Sequence, residues 1–142
     1  MDTPEPLIVH ATAVAVNERA VLIKGASGSG KSSLGLDMMA RGAALIADDR
    51  VILTPQEGAV LLRCPDSLQG KIEARGVGIL YADFTDAVEL ALVVDMDHVE
   101  TDRMPATRGI TYFNQTFPLL HNVASQHFPA AIMQYLRMES TD

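Results

Sequence analysis

Gly25-Ala26-Ser27-Gly28-Ser29-Gly30-Lys31-Ser32 is the stretch from which the fold is read. It satisfies G-x-x-x-x-G-K-[ST] at every position. Before it lies the apolar run Ala20-Val21-Leu22-Ile23, and after it a helical stretch from Ser33 to Arg41. Strand, glycine-rich loop, helix is the setting that separates a phosphate-binding loop from a chance match. Backbone N–H groups must face phosphate oxygens there, and glycines keep side chains out of the way. The helix N-terminus adds partial positive charge. Lys31 is placed to hold the β- and γ-phosphates of a nucleoside triphosphate, and the Ser32 hydroxyl to ligate Mg²⁺.

Outward from the loop, Leu7–Val16 and Arg19–Lys24 read as a hairpin turning at Asn17-Glu18-Arg19. Leu34, Met38 and Arg41 keep i, i+4, i+7 spacing in the helix over 32–41, and Gly42 suits its C′ position. Ala43-Ala44-Leu45-Ile46-Ala47 reads as a strand buried on both faces, ending at Asp48-Asp49. Val51-Ile52-Leu53 and Ala59–Arg63 form a second hairpin around a turn at 54–58. Val88–Val94 is a further strand, 96–109 is polar and reads as loop, and 110–113 and 117–120 are short strand candidates. Pro129 suits the first turn of a last helix over 130–138, with Ile132, Tyr135 and Leu136 on one side. The expected class is α/β, a mixed sheet with flanking helices, in one domain over 1–142 with 1–6 frayed.

The chain has 142 residues, 48% hydrophobic and 20% charged, enough for one domain with a proper core. Its formal net charge of −7 argues against a nucleic-acid or anionic-membrane surface, which needs clustered Lys and Arg. There is no run long enough for a membrane span and no signal-peptide pattern, so a cytoplasmic location is expected. Cys64 is the single cysteine and reads as a small core residue beside Pro65.

The chemistry candidates follow. Asp48-Asp49 closes an apolar strand shortly after the loop helix, where a carboxylate can hold Mg²⁺ or accept a proton from an attacking hydroxyl. Adjacent positions on a strand point to opposite sides, so different roles are expected of the two; in isolation they would read as a solvated turn. In Ile72-Glu73-Ala74-Arg75-Gly76-Val77-Gly78-Ile79, Glu73 and Arg75 share a face if extended. A metal-binding carboxylate and a phosphate-binding guanidinium suit phosphoryl transfer, although alone they would read as a surface ion pair. His10 reads alone as a structural or surface histidine, and Arg103 and Arg108 as solvated in a polar loop that could cover a site. Asp95, Asp97, His98, Glu100 and Asp102 look metal-like but lack EF-hand spacing, and read as an acidic loop.

Together these clusters resemble the HPr kinase/phosphorylases, bacterial P-loop enzymes that phosphorylate a serine of the phosphocarrier protein HPr. His10 stands fifteen residues before Gly25, as in the family. Gly25–Ser32 fits its loop, Arg41-Gly42-Ala43-Ala44-Leu45-Ile46-Ala47-Asp48-Asp49 its R-G-x-x-L-[IV]-A-D-D, and Ile72–Ile79 its L-E-I-R-G-[LI]-G-[IV]. Asp102-Arg103 looks like its later Asp-Arg pair. The resemblance implies the α/β core shared with phosphoenolpyruvate carboxykinases, ATP and Mg²⁺ as cofactors, an HPr-type carrier as partner, and homo-oligomers, since the family assembles as hexamers. It implies Asp49 as proton acceptor for the serine hydroxyl, Asp48 as its support or the metal's, and Lys31 on the phosphates. Ser32 and Glu73 would hold Mg²⁺. His10 and Arg103 would be active-site groups, Arg103 stabilising charge on the transferred phosphoryl, with Arg75 tied to both directions of the chemistry.

The sequence also departs from the pattern. Full-length members carry an N-terminal domain that is expected to be absent here, Ser33 replaces the usual Glu, and the segment 80–87 is short. Pro118-Leu119-Leu120-His121-Asn122 has neither the Gly nor the Arg of the family's P-V-x-x-G-R, which is linked to dephosphorylation. The expectation is therefore the kinase direction. A small-molecule P-loop kinase and an ATP-binding sensor without transfer are the alternatives.

Overall fold

The computed structural model describes residues 4–138 of the chain. The strands are β1 (Leu7–Val9), β2 (Ala11–Val16), β3 (Arg19–Lys24), β4 (Ala44–Ala47), β5 (Val51–Gln56), β6 (Ala59–Arg63), β7 (Lys71–Ala74), β8 (Gly78–Tyr81), β9 (Val88–Val99), β10 (Gly109–Tyr112) and β11 (Gln115–Asn122). The helices are α1 (Lys31–Ala40) and α2 (Phe128–Arg137), with a short 3₁₀ turn at Asp66–Leu68. No helix among the described residues is long and apolar enough to cross a membrane. Of the end expected to fray, residues 1–3 lie outside the described residues, and Pro4, Glu5 and Pro6 are exposed without regular structure.

The main sheet is mixed, in the order β1-β5-β6-β9-β3-β2-β4. β3 is buried on both faces and pairs β2 antiparallel from Ala11↔Lys24 to Val16↔Arg19. The connecting loop is two residues long, Asn17 and Glu18, both at positive φ, the backbone that matches the twist of a tight hairpin. On its other side β3 runs parallel to β9, ending with Lys24 beside Asp95. β9 carries two neighbours on its remaining edge, β6 antiparallel at Val88 and Glu89 and β11 parallel from Val93 onward.

Two apolar layers lie on the two faces of the sheet. One gathers Ala13, Leu22, Leu53, Leu62 and Val93, with Phe117 and Leu119 of the β10–β11 hairpin packed against it. The other places Val21, Ile23, Leu92 and Val94 under Leu34 and Met38 of α1 and Ile132, Met133 and Leu136 of α2. Tyr135, expected with Ile132 and Leu136, stays 37% exposed. The guanidinium of Arg19 donates to the carbonyls of Tyr135 and Leu136, satisfying the C-terminal end of α2.

Three sequence expectations change. The strand over 7–16 is two strands: the chain bends at His10, β1 pairs β5, and β2 pairs β3 and β4. The polar stretch after Val94 is not all loop, because β11 pairs with β9 as far as Val99. The turn of the second hairpin is only Glu57-Gly58, with β5 continuing through Gln56. β4 is buried as expected although it lies at the sheet edge. Residues 83–85 cover it, with the Leu45 amide donating to Asp83 and the Thr85 amide to Leu45.

Candidate functional site

The parallel pair β3–β9 and the start of α1 meet at the loop 25–30. Gly28 and Gly30 sit at φ of 85° and 100°, which only glycine adopts freely, so the loop can turn tightly into the start of α1. Gly30 caps α1, no side chain caps its first turn, and no acidic residue stands there, leaving the helix's orphan amides free for an anion. The ammonium of Lys31, buried to 7% exposure, donates to the carbonyls of Gly25 and Ala26 at 2.9 Å each. An ammonium has three protons, so one is left for a ligand. The Ser29 hydroxyl is buried without a hydrogen-bond partner.

Asp48 is buried and takes three donors. Its Oδ1 accepts the hydroxyls of Ser32 and Thr12, each at 2.7 Å, and its Oδ2 accepts the amide of Glu73 at 3.0 Å. Asp49 is different: its side chain is 60% exposed, and Oδ1 lies 2.9 Å from His10 Nε2. The Asp49 backbone is at φ 79°, a left-handed conformation uncommon outside glycine. That turn corrects the expectation that the two carboxylates face opposite sides. Both line one cleft, because the chain leaves extended geometry at Asp49. The bend at His10 serves the same contact, with the Ala11 amide donating to the Asp49 carbonyl at 3.2 Å.

β7 and β8 form a separate two-stranded hairpin that makes one wall. Ile72 and Ala74 are buried while Glu73 and Arg75 are exposed, the alternation expected of an extended piece. The Arg75 guanidinium reaches the Gly28 backbone, 3.8 Å from where a Cβ would stand there. The cleft holds about 630 Å³ and is lined by His10, Lys31, Ser32, Asp48, Asp49, Glu73 and Arg75 among others. It thus gathers the catalytic and metal-binding candidates of the sequence except Arg103. Of the loop it takes in Ser27, Gly28, Gly30, Lys31 and Ser32, while Gly25, Ala26 and Ser29 stand behind the lining. Arg103 is exposed in the loop after β9, whose base is fixed elsewhere: Glu100 accepts the amides of Thr101 and Asp102 and the Arg108 guanidinium, and its own amide donates to Asn122. Hydrogen bonds from Asp102 and Arg108 hold the Glu100 carboxyl below its ordinary range.

Two residues of the site were not singled out from sequence. Thr12 is fully buried and serves Asp48. Asp97 belongs to the run read as an acidic loop, yet both of its oxygens accept the Ala26 amide, at 2.9 and 3.1 Å. Asp95, buried at the end of the parallel stretch, accepts the Asp97 amide and His98 Nδ1 at 2.9 Å each and lies 3.7 Å from Lys24. Burial pushes the Asp95 carboxyl up, but the Asp97 amide, His98 and Lys24 together outweigh it and hold it below its ordinary range. An apolar strand ending in Asp beside the loop's own strand was the available signal. Cys64 is buried as expected, and burial, then Asp86 and Asp66, push its thiol up to about 11, which keeps it an inert thiol.

A family model described as HPr serine kinase C-terminal domain matches residues 4–110. The HPr kinase/phosphorylase of Polaromonas naphthalenivorans is 48% identical over 61 residues, 42% of this chain and 19% of that protein. That of Bordetella pertussis is 44% identical over 73 residues, 51% of this chain and 24% of that protein. The chain therefore aligns with about a fifth to a quarter of the length of these curated relatives. Among solved structures, the HPr(Ser) kinase/phosphatase of Coxiella burnetii matches with a TM-score of 0.76 at 22% identity. The match covers 92% of this chain and 88% of that one, and it shows a common P-loop kinase-type fold.

Proposed function

The chain belongs to the HPr serine kinase C-terminal domain family, and from that premise we propose that it transfers the γ-phosphoryl group of ATP to a serine hydroxyl of an HPr-type carrier protein. The observation that carries this reading is the division of labour between neighbouring carboxylates at the loop: Asp48 is held by three donors, while Asp49 stands open beside His10.

The residues present fit a nucleotide with magnesium. The curled loop, the uncapped start of α1 and the spare Lys31 proton suit the phosphates, and Arg75 adds charge on the far wall. Ser32 donates its proton to Asp48 and keeps hydroxyl lone pairs for a cation. The exposed Glu73 carboxylate supplies a second oxygen. Among the described residues there is no cage of three or more His, Cys, Asp or Glu, as suits a magnesium site completed by phosphates and water. When bound, the ion neutralises charge on the phosphates.

The chain's own part is positioning and proton transfer. The acceptor hydroxyl gives its proton to Asp49 as its oxygen bonds to the γ-phosphorus, and the bond from phosphorus to the ADP oxygen breaks. His10 orients the Asp49 carboxylate, and Asp48 fixes Ser32, Thr12 and the start of the Glu73 strand around it. Arg103 joins this reading only if its loop moves to the cleft.

The test is the intact mass of an HPr-type carrier after incubation with the protein, ATP and Mg²⁺. A gain of one phosphate is expected, stable to acid as phosphoserine is. Asp49→Asn should keep nucleotide binding and lower transfer by about 10²- to 10⁴-fold. Full transfer by that variant would remove Asp49 as the base. No mass gain with ATP still bound would favour another acceptor or a nucleotide sensor.

A further inference from the structure

The geometry points to Asp97 as the residue that positions Lys31, acting through a single peptide unit. This rests on the nucleotide-binding reading above and adds to it a residue outside the cleft lining. The peptide joining Gly25 to Ala26 carries the N–H of Ala26 and the C=O of Gly25 on opposite sides of one rigid plane. Asp97 grips the N–H side with both oxygens, at 2.9 and 3.1 Å. The carbonyl on the other side accepts the Lys31 ammonium at 2.9 Å. Rotating that plane would break both contacts together. Gripping it fixes one of the two carbonyls that seat the ammonium, the other being that of Ala26 on the next peptide, and so constrains where its spare proton points.

The grip is itself supported. Asp95 accepts the Asp97 amide at 2.9 Å and is held in turn by His98 and Lys24. Met96, between the two aspartates, lies under the loop. Its Cβ is 3.1 Å from where a Cβ on Gly25 would stand, and its Cε is 3.5 Å from that on Gly30. The end of β9 therefore meets the phosphate loop through an apolar contact and a charge-assisted hydrogen bond. Asp97 touches neither phosphate nor acceptor in this arrangement; its effect passes through Lys31.

The experiment is titration of the full chain with a fluorescent ATP analogue and Mg²⁺, for wild type, Asp97→Ala, Asp97→Asn, Lys31→Ala and the Lys31→Ala/Asp97→Ala double variant, with melting temperatures alongside. Asp97→Ala should weaken binding roughly tenfold, the scale of one charge-assisted hydrogen bond. Asp97→Asn keeps an oxygen acceptor without the negative charge, a bond about half as strong, and should weaken binding by only about threefold. In the Lys31→Ala background, Asp97→Ala should add less than about twofold, because the two act as a unit. Wild-type affinity in Asp97→Ala, whatever its melting temperature, would overturn the inference. So would an undiminished penalty in the Lys31→Ala background. Should the alanine variant not fold, Asp97→Glu, whose carboxylate is displaced by one methylene, carries the same test: weaker binding is expected and wild-type affinity overturns it. Failure of the wild type to bind the analogue would instead bring down the nucleotide reading itself.

Discussion

Replacing Thr12 by Val tests the Asp48 knot, because it exchanges a hydroxyl for a methyl with little change of shape. Thr12 is fully buried, and its hydroxyl donates to Asp48 Oδ1 at 2.7 Å, an oxygen it shares with Ser32. A hydrogen bond to a charged group contributes about 1.5–3 kcal/mol. Asp48 keeps its two other donors and the new methyl is buried, so the low end applies, about 1.5 kcal/mol. For a chain of 142 residues that is a fall in melting temperature of about 5 °C. Thr12→Ser keeps the hydroxyl and loses the methyl that faces α1, and so measures the packing half separately. Thermal melts followed by circular dichroism, backed by urea titration, read both. A double-mutant cycle with Asp48→Asn should show coupling of about 1 kcal/mol. A drop below 1 °C for Thr12→Val, or strict additivity with Asp48→Asn, would refute the account of Thr12 as a support of Asp48.

Gly35→Ala should destabilise by about 1–3 kcal/mol despite alanine's better helix propensity, because the added Cβ would lie 2.9 Å from the Thr12 methyl carbon; an unchanged melting temperature would mean that α1 moves away freely. Asp95→Asn should cost stability at neutral pH. The native carboxyl is held below its ordinary value, so its contribution is present above the unfolded value near 3.8 and is lost as pH falls through the lower folded value. Urea titrations of the two proteins should thus converge in strong acid, and a gap that stays constant with pH would contradict this. Cys64, with its thiol pushed up to about 11, should resist alkylation at pH 8 in the folded protein and react promptly in denaturant. Prompt modification of the native protein would contradict the burial.

Sequence revealed the part of the site built by local chain geometry. The loop 25–32, the helix after it and the Asp48-Asp49 pair are separated by short, regular elements, so residue spacing alone nearly places them together. The Gly42 prediction held for a local reason too, since its amide and that of Ala43 close the end of α1 on Met39 and Met38. What sequence concealed depends on partners far along the chain. The polar tail of β9 has the composition of a loop, and it stays extended because β11, some twenty-five residues later, pairs alongside it. Thr12 sits on an unremarkable Ala-Val strand, and only the return of β4 brings Asp48 to it. Asp97 meets Ala26 across 71 residues, and its run of acids reads as solvated until the parallel register of β3 and β9 is known. Arg103 illustrates the converse, a residue selected by motif whose loop is fastened by Glu100 away from the cleft lining.

The backbone of Asp49 sets its chemistry against the durability of the fold. A side chain at φ 79° costs about 1 kcal/mol or more relative to glycine, which occupies that region freely. In a library screened only for heat resistance, glycine at position 49 should therefore rise among the survivors, and with it would go the carboxylate that faces His10. A screen that also scored phosphoryl transfer should return aspartate. Comparing the residues enriched under the two selections would measure, in the currency of fitness, what the molecule gives up to keep an acid in a glycine's place.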